Sequence, residues 1–179
     1  IASPDKLPLV KVSNMNRHFL TCLVAILFLG QSLLAQDFDD LNNQAFKERD
    51  NKNYQKAIEL CTQAINKKVN ARSYIIRADC RYELNDYSAA IDDFESALTY
   101  YSDYYSDNKE KGGIYYMMGR SKHDLRRYGA AISDYNSALT YNYEEPGYVY
   151  WNRGACYYES GKYKEADDDY SKAIDRISA

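Results

Sequence analysis

Few side chains in this sequence could do chemistry. His18 and His123 are its two imidazoles, so nucleophile activation or a His-rich metal site would hang on one ring at a time. His123 stands alone in a polar stretch and is expected to line a groove or face solvent. The acidic runs Asp37 to Asp40 and Asp167 to Asp169 raise a calcium reading, but neither has the alternating ligands, turn Gly and distal Glu of a calcium loop. The first run is expected to favour a helix start through the helix dipole, the second to be a solvated helix face. No Gly-rich phosphate loop occurs. The expectation is a chain with no catalytic residues, no metal and no cofactor. Of the four Cys, Cys80 and Cys156 lie too far apart to pair. Cys61 and Cys80 could form a disulfide outside the cytosol, or Cys61, Cys80 and Cys156 could serve as small buried fillers.

What the sequence has in excess is binding chemistry. Its 179 residues hold 20 Tyr, five Phe and one Trp. A net charge of −3 and a pI near 5.5 supply no basic face to displace counterions from phosphate, which argues against nucleic acid as a partner. A mean hydropathy of −0.67 fits a soluble chain rather than a polytopic membrane protein. The Tyr surplus needs a place in the fold.

That place is set by repetition. The segments NYQKAIELCTQAI (53–65), DYSAAIDDFESAL (86–98), RYGAAISDYNSAL (127–139) and KYKEADDDYSKAI (162–174) align without a gap. Ala57, Ala90, Ala131 and Ala166 mark their common register. Upstream of each lies a second amphipathic segment, giving a unit of helix, four-residue polar turn, helix. Ala78, Gly119 and Gly154 on the first helices, and Ala pairs such as Ala131/Ala138 on the second, let two axes approach closely. Phe94, Tyr135 and Tyr170 fill the gap between them. One hairpin cannot bury its apolar face alone, so neighbours must stack.

The pattern resembles the tetratricopeptide repeat family. The fourth repeat carries it best, in Tyr150, Gly154, Tyr157, Tyr163, Ala166, Tyr170 and Ala173; the first, with Leu41, Ala45, Tyr54, Ala57, Cys61 and Ala64, carries it least. The resemblance implies an all-α fold, an α-solenoid of four stacked helix-turn-helix hairpins in a right-handed superhelix. The expected domain is 36–179, with repeats at about 38–71, 71–104, 112–145 and 147–179. An insertion at 104–111 separates the second from the third. There the second helix of repeat two is expected to run on until Gly112-Gly113 breaks it, raising Tyr100, Tyr101, Tyr104 and Tyr105 as a contact ridge.

The resemblance further implies a ligand groove on the wall made by the first helices. Here that wall offers Arg72, Tyr82, Tyr116, Arg120, Tyr148, Trp151 and Tyr158, an aromatic and Arg composition typical of protein-binding hot spots. The basic clamp with which some relatives hold chaperone C-termini is missing at Asn42, Phe46, Ile76, Gly113 and Met117.

Ahead of the repeats, Met15 opens a short basic stretch, an apolar run from Phe19 to Gly30 and small residues to Ala35. This is the layout of a secretory signal peptide, 15–35, and the run is shorter than the roughly 20 residues of a spanning helix. Residues 1–14 read as an upstream extension. The expected protein is an exported scaffold, periplasmic, envelope-associated or secreted, that binds another protein or peptide, with no membrane span after cleavage. Two alternatives stay open. One is a self-assembling spacer of an envelope complex, associating through the Tyr ridge or the last hairpin, where Asp167 in place of Ile58, Ile91 and Ile132 suits an end but Ile174 and Tyr170 leave apolar surface. The other is the repeat-bearing piece of a larger enzyme or sensor.

Overall fold

A computed structural model describes residues 37–101 and 108–177. These form eight helices and no strand: α1 (37–50), α2 (Tyr54–Lys67), α3 (Ala71–Glu83), α4 (Tyr87–Tyr100), α5 (Asn108–Asp124), α6 (Tyr128–Thr140), α7 (Pro146–Glu159) and α8 (Tyr163–Ile177). Consecutive helices pair into four hairpins, and each hairpin packs on the next. The signal-peptide and upstream segments expected at 15–35 and 1–14 lie outside the described residues.

The hairpin turns share one backbone closure. Lys52, Asn85, Arg126 and Gly161, all at the same place in the repeat, adopt positive φ of 63°, 62°, 57° and 73°. The next amide reaches back five residues, as from Asn53 N to Glu48 O at 2.8 Å and from Lys162 N to Tyr157 O at 2.9 Å. This left-handed closure satisfies the last carbonyls of the first helix. It leaves three residues between the helices, at 51–53, 84–86, 125–127 and 160–162, one fewer than the repeat pattern suggests. Helix starts are signalled conventionally: the Asn70 side chain accepts from Ser73 N at 3.0 Å, and Pro146 opens α7.

The small residues sit where the two helices of a hairpin touch. A Cβ on Gly119 would lie 2.6 Å from the ring of Tyr135, which is fully buried, and one on Gly154 would lie 3.0 Å from Tyr170. Beside these contacts runs a buried charge that the sequence pattern hides. Arg77 grips Asp93 through two parallel hydrogen bonds of 2.8 and 2.7 Å, with Arg81 adding a third at 2.7 Å. Arg153 grips Asp169 in the same way at 2.6 and 2.8 Å. In the third hairpin Lys122 reaches Asp134 at 2.7 Å. The acidic run is therefore not all solvated: Asp167 and Asp168 are exposed, but Asp169 turns inward because a bidentate Arg awaits it.

A further expectation is corrected. The helix α4 does not run on; it ends at Tyr100, and Gly112 and Gly113 lie inside α5 rather than breaking a helix. Turning the chain here buries Tyr101 in the core shared by hairpins two and three, where its hydroxyl donates to Glu110 Oε2 at 2.6 Å. Gly112 is needed because a Cβ there would come within 3.0 Å of the Tyr143 backbone. Cys61, Cys80 and Cys156 are free and buried. Burial pushes the thiols of Cys61 and Cys80 up to about 12, so they act as fillers.

Candidate functional site

The first helices α1, α3 and α5 share one wall, and its centre is Asp79. Arg49 Nη1 lies 3.1 Å from Asp79 Oδ2, joining the first hairpin to the second. Two depressions meet at this residue. One, of about 380 Å³, is lined by Ile75, Asp79, Gly113, Met117, Tyr143 and Glu144, among others. The other, of about 410 Å³, is lined by Arg49, Tyr54, Asp79, Glu83 and Met117. Burial raises the Asp79 carboxyl to about 6 against the opposing pull of Arg49. Tyr143 and Glu144 are additions that no reading of the first helices contains, because they come from the connection after α6.

The seven expected groove residues do not form one surface. Arg72 is exposed and its guanidinium donates to Asn43 at 3.1 Å. Tyr82 and Arg120 belong to a joint: the Tyr82 hydroxyl donates to Asp124 at 2.9 Å, and the Arg120 guanidinium lies 4.7 Å over the Tyr82 ring. Tyr116 is buried, stacked on Tyr143 at 4.7 Å, and accepts from Asn152 at 3.1 Å. A buried ring cannot present itself to a partner, and that part of the expected groove is corrected. Tyr148, Trp151 and Tyr158 remain exposed along α7. Trp151 leans on Tyr170 at 5.2 Å and Tyr158 on Tyr163 at 5.4 Å.

The expected ridge also divides. Tyr100 is exposed and stacks on Tyr74 at 5.7 Å, Tyr101 is buried, and Tyr104 and Tyr105 lie outside the described residues. His123 lies 5.7 Å from the Tyr128 ring at the edge of its hairpin.

The exposed surface with the strongest binding character is therefore the end of the stack. Trp151, Tyr158, Ile174 and Ile177 each show more than half their surface to solvent. They lie on one hairpin, α7 and α8. Ile174 holds the place of Leu98 and Leu139, which pack against the clusters at the second and third joints. The last hairpin thus presents an apolar face of the kind that its predecessors bury. Among the described residues, no helix is long and apolar enough to cross a membrane.

Comparison with known proteins places this geometry. Three models described as "Tetratricopeptide repeat" match residues 48–105, 112–145 and 147–176. No curated protein matches the sequence. Among solved structures, one of MamA has a TM-score of 0.69 at 21% identity, over 83% of this chain and 84% of that one. MamA from Desulfovibrio magneticus RS-1 has 0.68 at 13% identity, over 79% and 76%. At such identities the likeness concerns the fold.

Proposed function

This chain belongs to the tetratricopeptide repeat family, whose models together match more than half of it, and from that premise we propose that it is a non-enzymatic scaffold that captures a protein segment on the last hairpin. The observation that carries the reading is the exposure of Trp151 and Tyr158 on one helix, at 52% and 57%. Large aromatics are the side chains on which interface energy concentrates. They sit on a hairpin held rigid by the Arg153–Asp169 pair, so binding costs little ordering. The scaffold works outside the cytoplasm in this reading, supported by the leader-like run at 15–35; N-terminal sequencing of the mature protein tests that placement.

Replacing Trp151 and Tyr158 with Ala is expected to weaken partner capture by at least about 2 kcal/mol and leave the helical circular dichroism signal unchanged. Capture at native strength by that double variant would sink the proposal.

A further inference from the structure

We infer that the open face of the last hairpin receives the first hairpin of a second copy of this chain, head to tail. This rests on the protein-binding reading above and names its partner. The argument is one of register. Counting from the small residue in each first helix (Ala45, Ala78, Gly119, Gly154), the first two joints within the chain share one contact. The residue four places on meets the residue one place on in the next hairpin: Arg49 pairs with Asp79 at 3.1 Å, and Tyr82 lies under Arg120 at 4.7 Å. Tyr82 also donates to Asp124, five places on. At the first and third joints the residue three places before is covered from the next hairpin, though by residues at different places: Asn42 by Ser73 at 2.7 Å and Tyr116 by Asn152 at 3.1 Å.

In the last hairpin these two places hold Tyr158 and Trp151. The contrast with Tyr116 is large: 9% exposed where a hairpin follows, against 52% for Trp151. The first helix carries the matching half. Phe46, one place after Ala45 and 42% exposed, is in register to meet Tyr158. Asp50 stands where Asp124 stands, and Asn43 where Asn152 stands.

Charge complementarity selects the same pairing. The residue after each second-helix Ala is Ile58, Ile91 and Ile132 in three hairpins and Asp167 in the last. The residue two places after the first-helix small residue is Cys80, Ser121 and Cys156 in three hairpins and Lys47 in the first. Ile58 and Cys80 share one core cluster, and Ile132 and Cys156 another. Among the described residues, the two outer faces of the stack thus carry opposite charges in place of an apolar contact, and the register sets them against each other. Donor and acceptor faces differ, so the contact is heterologous and does not close on itself as a twofold dimer does.

Sedimentation velocity on the full chain over a wide concentration range is expected to show growth beyond a dimer. Trp151→Ala/Tyr158→Ala blunts the tail and Phe46→Ala/Lys47→Glu blunts the head. Each alone should associate at least about thirtyfold more weakly with unchanged helicity, and the two mixed should stop at a heterodimer. Lys47→Asp and Asp167→Lys should each weaken association, and the double swap should restore it. A native chain that stays monomeric, or a blunted head that associates as the native chain does, overturns the inference. If the chain is monomeric yet the blunted tail loses capture of a different protein, the scaffold reading survives; if that capture is unchanged, both fall.

Discussion

Asp79 shows how burial and pairing compete at a single carboxyl. Desolvation outweighs the Arg49 guanidinium, so the folded value lies near 6, above the ordinary 3.8. A carboxyl raised on folding holds an extra proton in the folded state between about pH 4 and 6. Its contribution to stability is complete below pH 4 and is lost as pH rises through 6. Asp79→Asn, neutral throughout, should lack that decline and gain up to about 3 kcal/mol relative to the native chain at pH 7. Urea midpoints at several pH values from 4 to 7 check this; parallel profiles for the two proteins would refute it. Arg49 keeps Asp50, 3.1 Å away, so the substitution does not strand a buried charge. The sequence shows Asp79 only as one acidic residue within a predicted first helix. Its environment does not show there, because Met117, which lines both depressions at that carboxyl, lies nearly forty residues away in the chain.

At the scale of elements, the hairpin turns repay attention because their conformation is fixed while their residues are not. Gly161 takes the left-handed conformation without strain, but Lys52, Asn85 and Arg126 take it at φ near 60°, which costs a non-Gly residue about 1 kcal/mol, less for Asn. Arg126→Gly is therefore expected to stabilise the chain by about 0.5–1 kcal/mol, with thermal unfolding as the measure; a destabilised variant would show that the Arg side chain does more than occupy the turn. Repeat period, helix order and the small-residue contacts were legible because Ala and Gly recur at fixed spacing. The end of α4 was not, since two further helical turns and a buried Tyr101 satisfy the same local pattern and only the Glu110 partner decides between them. The inward turn of Asp169 was hidden for a like reason: three successive Asp look solvated until Arg153, sixteen residues earlier, is seen opposite.

Across the whole molecule, contacts within and between hairpins differ in make-up. Buried ion pairs join the two helices within hairpins two to four, whereas the joints between hairpins combine the Arg49–Asp79 pair with rings and side-chain amides. The first hairpin has Leu60 where the others have Asp93, Asp134 and Asp169, and Leu60 is buried. Because a second copy binds the folded chain, association adds to stability by mass action. The unfolding temperature should then rise with protein concentration, and should do so less in the Trp151→Ala/Tyr158→Ala variant; calorimetry at two concentrations decides it. The aromatic wall was read from sequence as one groove because all first-helix stripes look alike there. Which stripe is covered depends on whether a hairpin follows, and that is a property of position in the stack rather than of composition.

Trp151 is the single Trp of the chain, and it stands on the face at issue beside Tyr170. The molecule therefore carries its own optical probe. Its emission should shift to the blue and resist aqueous quenchers as the face is covered, so occupancy can be followed on unlabelled protein without touching the interface.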